Sequence, residues 1–164
     1  MLKIALPNKG RLAEDVRDLF ADAGLEVRSR GDRALHADLP CLGICLGMQL
    51  LFDGSDKGSG AGLGIIPGWV TKLSARRVPQ IGWNALESAD DPLLDRAPLE
   101  MAYYANGFAC RPTDDSCVRA WSTHEADRFP AVVRRGNVVG VQFHPEKSSA
   151  SGVAFLRAFL EEAR

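Results

Sequence analysis

Gly43-Ile44-Cys45-Leu46-Gly47 sets a cysteine between two glycines, at the point where the apolar run CLGI gives way to the helix-forming run CLGMQLLF. A sharp strand-to-helix turn at such a junction lifts the middle side chain out of the sheet, and the flanking glycines remove side chains that would meet neighbouring backbone. The thiol is expected at a helix N-terminus. There, backbone N–H groups and the macrodipole favour negative charge and lower a cysteine pKa from its reference near ~8.5. The N–H of Leu46 points where an oxyanion would form. A thiol nucleophile needs a base, and the base needs an orienting partner. His144-Pro145-Glu146, at the mouth of the apolar run VVGVQF, offers both. Pro145 disfavours helix at His144 and holds the segment extended, so the side chains of His144 and Glu146 are expected to project to one side. The constellation expected is Cys45 attacking, His144 taking its proton and Glu146 holding the imidazole. Taken singly, a glycine-rich turn and a hydrogen-bonded structural histidine are the alternatives.

Elements to position these groups follow from periodicity. LKIALP reads as a strand, KGRLAEDVRDLFADAGL carries Leu12, Val16, Leu19 and Phe20 on one helical face closed by Gly24, and LEVRSR reads as a second strand. A strand-helix-strand unit favours a parallel sheet. Residues 29–39 are polar and irregular, a connector. CLGI is then a strand, and the helix after Cys45 runs for about one to three turns. From Asp53 to Gly64 the chain is a glycine-rich loop, long enough to be functional or mobile. GWVTKL, VPQIGWNAL, MAYYANGF, CVRAWST and AVVRRGNVVGVQF supply short strands, with a hairpin at Arg135-Gly136-Asn137. SGVAFLRAFLEEAR is a C-terminal helix with Val153, Phe155, Leu156, Phe159 and Leu160 on one broad face against the sheet.

The bulk numbers exclude several classes. With 164 residues, 46% hydrophobic and 25% charged, the chain has the composition of a globular protein and the length of one domain. Twenty Lys and Arg against 21 Asp and Glu leave a net charge of -1, so nucleic acid and anionic membrane are poor partners. No apolar stretch approaches the ~20 residues that span a bilayer, and MLKIALPNKGRL is wrongly ordered for a signal peptide. The cytoplasm is the expected compartment. Cys41, Cys45, Cys110 and Cys117 form no C-x-x-C pair, and the three histidines do not cluster near them, so no metal and no other cofactor is expected. Cys41, Cys110 and Cys117 are read as buried free thiols.

CLGICLGMQLLF, GLGIIPGWV, VPQIGWNAL and GVQFHPEKSSASGVAFL together resemble the class I glutamine amidotransferase family, over about residues 39–164. Within it, G-W-N and H-P-E-K-S resemble the glutaminase subunits of imidazole glycerol phosphate synthases, which serve histidine biosynthesis. The resemblance implies an α/β fold, a three-layer arrangement with a mainly parallel sheet and helices on both faces. It implies that Cys45 attacks the side-chain amide of L-glutamine, giving a glutamyl thioester and ammonia, with His144 as general base and acid and Glu146 as its orienter. Gly43, Leu46, Gln49, Gly107 and Phe108 are the implied substrate-binding positions, Gln49 through its side chain and Gly107-Phe108 largely through backbone. The partner implied is a separate (β/α)8 cyclase subunit, in a heterodimer, which receives the ammonia.

Some features depart from that family. Its members carry a longer segment before the elbow, with a P-G-x-G type loop that completes the oxyanion hole. The segment here lacks that motif, so one strand and one oxyanion donor are expected to be missing. Losing such a donor costs about 100- to 1000-fold in rate. Residues 1–36 instead resemble the opening of ATP phosphoribosyltransferase, with Lys9 and Arg11 at an anion-binding strand-to-helix loop or, more plainly, as solvated surface charges. The expected organisation is thus a borrowed segment, 1–36, joined to an amidotransferase-like domain, 39–164. Lys57 stands where an acidic residue would pair with the amino group of glutamine. Asn106-Gly107-Phe108 replaces H-S-Y, and Glu125-Ala126 replaces a Tyr-Gly turn. Two rivals stay open: a non-catalytic cyclase-docking module, and a cysteine hydrolase or isomerase acting on another substrate.

Overall fold

The computed structural model describes residues 40–162. The strand-helix-strand read over residues 1–36, and any oxyanion loop within it, lies outside the described residues. Among the described residues, the site-bearing segments belong to a four-stranded sheet made of β1 (Cys41–Ile44), β7 (Val118–His124), β8 (Asp127–Arg135) and β9 (Val138–Val141), in the order β1-β9-β8-β7. A three-stranded sheet joins β2 (Gly54–Ser55), β3 (Gly68–Lys72) and β6 (Phe108–Pro112), and a hairpin-like pair joins β4 (Gln80–Ala85) to β5 (Met101–Asn106). The α-helices that accompany them are α1 (Leu46–Gln49), α2 (Pro92–Arg96) and α3 (Ser149–Glu162). MAYYANGF is not one strand. It breaks at Gly107, where β5 leaves one sheet and β6 enters another.

Pairing among the described residues differs from the mainly parallel sheet expected. β1 runs parallel to β9, with Ile44 opposite Val141, and β2 runs parallel to β3. The pairs β3–β6, β4–β5, β7–β8 and β8–β9 are antiparallel. The connections explain this, because β7–β8 and β8–β9 are joined by two-residue turns, too short for a parallel crossover. Those turns use positive φ at Glu125 (53°) and Gly136 (58°). Glu125 holds its unusual conformation while its carboxylate accepts the N–H groups of Arg76 (2.7 Å) and Arg77 (3.3 Å).

β9 is buried along its whole length, which is why VVGV shows no polar alternation. On one side lies a core of Tyr104, Phe129, Phe143 and Phe155, whose rings meet edge to face at about 6 Å. A second cluster gathers Met48, Leu51, Phe52, Ile66, Val70 and Cys110. Gly140 lets the two approach, since a Cβ there would stand 2.8 Å from Met48 Cγ and 2.9 Å from Val133 Cγ2. Cys110 is fully buried, and burial pushes its thiol far up, as expected of a structural cysteine; Cys41 and Cys117 are only half-buried, and all three are free thiols. The C-terminal helix buries Phe155, Ala158 and Phe159, but Val153 and Leu160 face out, so its apolar arc is wider than the surface it covers.

The glycine-rich loop is tied down at its base. Gly68 N–H donates to Asp53 Oδ2 at 2.7 Å, Asp53 N–H donates to Gly68 O at 3.1 Å, and Trp69 Nε1 donates to Asp56 Oδ1 at 2.7 Å. A second polar clamp holds the far side of the domain. Asp91 is buried, caps α2 through Leu93 N–H (2.9 Å), and accepts both Nε (2.6 Å) and Nη2 (3.0 Å) of Arg134, whose Nη1 reaches Glu162 at 2.7 Å. Replacing Asp91 with alanine leaves a mostly buried guanidinium without its main partner. A loss of about 3–5 kcal/mol of stability is expected, read by urea denaturation against wild type.

Candidate active site

The elbow forms as its glycines suggest, though only one of them is needed for it. β1 ends at Ile44, Cys45 N–H donates to Val141 O at 2.7 Å, and Cys45 adopts φ 50° and ψ −104° before α1 begins at Leu46. That is a rare conformation for a residue with a Cβ, and it projects the thiol away from the sheet. Gly43 serves the backbone approach: a Cβ there would come 2.7 Å from the carbonyl of Gly47 and 2.8 Å from Met48 N. Its role is therefore packing beneath the elbow. Gly47 has open space where its side chain would be, so the expected collision does not arise there.

His144 and Glu146 are brought together. Glu146 Oε1 lies 2.8 Å from His144 Nδ1, which assigns the Nδ1 proton to that bond and leaves Nε2 as the basic nitrogen. The route differs from the extended one expected. His144 is extended, but Pro145–Lys147 is a 3-10 turn that swings Glu146 back under the imidazole. The side chain of His144 is 21% exposed and that of Glu146 49%, so the pair is open to solvent. Tyr103 O accepts His144 N–H at 2.8 Å, and Ser148 Oγ donates to His144 O at 2.7 Å, which fixes the ring's backbone from both sides.

The sulfur's side-chain partner is a residue that motif spacing does not single out. Gln142 is fully buried, and its Nε2 lies 3.6 Å from Cys45 Sγ. Gln142 Oε1 accepts Gln49 Nε2 at 3.0 Å, and Gln49 Nε2 also donates to Phe108 O at 3.3 Å. A glutamine inside VVGVQF is itself a signal, because a polar side chain in a buried run must find partners. Gln142 and His144 follow the end of β9 at Val141, where the chain bends at Gln142 and Phe143 before the turn of Pro145–Lys147. No described hydrogen bond joins His144 to the sulfur itself.

The remaining candidates surround this line. Leu46 N–H stabilises the Cys45 thiolate, so the expected oxyanion donor faces the sulfur. The Phe108 carbonyl also accepts Asn106 Nδ2 at 3.1 Å, and that of Gly107 accepts Leu73 N–H at 3.0 Å. Both carbonyls are thus engaged within the chain. Lys57 Nζ stands 5.9 Å from the centre of the Phe108 ring, beside the site.

Electrostatics at Cys45 run against the lowered pKa expected of a helix N-terminus. Burial pushes the thiol up most, and the Leu46 N–H pulls it down; Glu146 raises it, while Lys57 and Gln142 lower it, and the net direction is up. A one-turn helix supplies too small a dipole to reverse desolvation. The free chain therefore holds a thiol that needs a base. Its alkylation by iodoacetamide is expected to rise with pH and to reach half its plateau above the ordinary thiol range near ~8.5. Sign and cause agree: only the thiolate reacts, and burial disfavours the thiolate.

With this geometry in place, comparison with known proteins defines the class. The family model for "Glutamine amidotransferase class-I" matches residues 23–163, and the chain belongs to that family. At the level of individual proteins, it is 37% identical over 165 residues to "Imidazole glycerol phosphate synthase subunit HisH" of Synechocystis, covering 97% of this chain and 77% of that one. Against the protein of the same name from Thermus thermophilus it is 41% identical over 156 residues, covering 93% and 74%. Its match to the Acaryochloris marina protein is 41% over 136 residues and spans 79% of this chain and 64% of that one. The chain thus spans about two thirds to three quarters of the length of these relatives. A solved structure described as "Crystal structure of glutamine amidotransferase" shares the fold with a TM-score of 0.54 at 21% identity, covering 92% of this chain and 67% of that one.

Proposed function

We propose that the chain is the glutaminase subunit of an imidazole glycerol phosphate synthase, hydrolysing L-glutamine at Cys45 and passing the ammonia to a cyclase subunit. The observation that carries this reading is the pairing of a φ 50° cysteine elbow with a His144–Glu146 hydrogen bond of 2.8 Å at the end of the neighbouring parallel strand. His144 Nε2 takes the Cys45 proton as sulfur attacks the amide carbon. Leu46 N–H stabilises the oxyanion. His144 then returns the proton to the departing nitrogen, which leaves as ammonia with the thioester formed. A water, deprotonated by Nε2, cleaves the thioester to glutamate and restores the thiol. Gln49 Nε2 is held by Phe108 O and Gln142 Oε1, so its Oε1 is the atom that would accept a ligand's N–H.

A docking face for the cyclase adjoins this chemistry. On the outer face of the β4–β5 pair, Ile81 is 68% exposed and Trp83 51%, with Met101 also open and Tyr103 directly opposite Trp83. Tyr103 contacts the His144 backbone, and Lys147 Nζ lies 5.8 Å from its ring, so a subunit seated here would bear directly on the catalytic turn. Exposed aromatic and aliphatic anchors of this kind are what a subunit interface uses. The name "Imidazole glycerol phosphate synthase hisHF, chloroplastic" belongs to an Arabidopsis thaliana relative, 46% identical over 132 residues, of which this chain matches 22%. The test is ammonia release from glutamine by the purified chain, alone and mixed with a cyclase subunit and its phosphoribosyl ligand. Release that requires the mixture supports the proposal; no release from either, with the chain folded, refutes it.

A further inference from the structure

We propose that Gln142 is a positioning residue for the nucleophile, a buried amide that donates to the Cys45 thiolate and is itself aimed by Gln49. This rests on the reading of Cys45 as nucleophile. The direction of each amide follows from a group that cannot be reversed. Phe108 O is a backbone carbonyl and can only accept, so the Gln49 atom facing it at 3.3 Å is Nε2. The same Nε2 lies 3.0 Å from Gln142, which must present Oε1 to it. Gln142 therefore turns its own NH2 to Cys45 Sγ, 3.6 Å away. No other orientation satisfies all three contacts.

Such an amide favours the thiolate over the thiol, since it can only donate toward the sulfur. It is also fully buried, so its dipole is fixed before the reaction begins and water cannot compete for it. Its backbone is held independently, with Gln142 N–H donating to Ala131 O at 2.9 Å. The other groups that act on the sulfur are Lys57 from the glycine-rich loop, Leu46 N–H from α1, Glu146, which is hydrogen-bonded to His144, and the buried Cys110 thiol of β6. Lys57 and Glu146 act oppositely and are both near solvent. Gln142 is the buried side chain that contacts the sulfur directly. Because Gln49 aims it, a ligand that draws Gln49 away from Phe108 loosens the donor, and one that accepts the Gln49 orientation preserves it.

The experiment is the pH dependence of Cys45 alkylation by iodoacetamide, followed by peptide mass mapping, in wild type, Gln142→Met and Gln49→Met. Circular dichroism and thermal melting check that each variant is folded. A donor to a charged group accounts for about a tenfold change in thiolate population, so Gln142→Met is expected to raise the midpoint by about one pH unit and slow alkylation about tenfold at neutral pH. Gln49→Met shifts it the same way by less. In glutamine hydrolysis, Gln142→Met loses kcat with little change in KM and recovers part of it as pH rises, which a packing defect would not do. An unchanged midpoint in folded Gln142→Met overturns the proposal; if that variant does not fold, an unchanged midpoint in Gln49→Met does so. Alkylation needs no glutamine. A chain that shows the shift yet releases no ammonia supports the relay while refuting the proposed hydrolysis.

Discussion

Cys45→Ala is expected to abolish ammonia release from glutamine, a loss of roughly 10^4-fold or more, with the melting temperature little changed. The size follows from the elbow. Cys45 joins a φ of 50° to a position at the start of α1, within range of the Glu146 charge. Alanine tolerates that backbone no better than cysteine does, so the fold is neither relieved nor further strained, while the covalent route disappears. Release is read with a coupled ammonia assay in the presence of the cyclase subunit. Residual release equal to wild type would mean that hydrolysis does not pass through this sulfur.

His144→Ala is expected to lower kcat by about 10^2- to 10^4-fold. Burial raises the Cys45 thiol above its ordinary range, so at neutral pH little thiolate exists without a base to take the proton. In this variant the rate should climb with pH, because hydroxide then does what the imidazole did, and it should keep climbing to the raised midpoint of Cys45. Wild type, with an imidazole to take the proton, should depend on pH less steeply over this range. A pH–rate profile of both proteins distinguishes this from a purely structural loss, which would scale the curve without changing its shape.

How far the sequence carries these conclusions depends on the residue. The elbow is legible because a small-residue, cysteine, small-residue pattern at an apolar junction admits few backbones, and the His144–Glu146 bond because a proline restricts the backbone beyond the end of a strand. The expected reasons are only partly right. Gly43 is required by the close passage of α1, whereas Gly47 meets nothing, and Glu146 returns by a 3-10 turn instead of an extended segment. Gln142 escapes notice because periodicity treats a glutamine in an apolar run as an interruption, when burial makes it the most constrained polar group there. The short helix α2 is also absent from the periodicity, although Asp91-Pro92 is an N-cap with proline at the first helical position. Among the described residues the α/β sheet mixes parallel β1–β9 with antiparallel β7–β8 and β8–β9, because the latter strands are joined by two-residue turns. Local turn chemistry decides that, not composition.

Exposure of Ile81 and Trp83 is not visible in the sequence either. The alternation in VPQIGWNAL would turn Ile81 and Trp83 inward, yet the structure exposes both and buries Gln80 on the opposite face. Only the fold shows that Tyr103, on this face, also accepts the N–H of His144.

The most direct measurement is covalent capture of the nucleophile. The chain, with its cyclase subunit present, is treated with a glutamine analogue bearing an electrophilic diazoketone in place of the side-chain amide, and the digest is mapped by mass spectrometry. One adduct is expected, on the peptide carrying Cys45, prevented by excess glutamine and absent from Cys45→Ala. Labelling of Cys41 or Cys117 instead, or a Cys45 adduct that glutamine does not prevent, would contradict the assignment of Cys45 as the nucleophile.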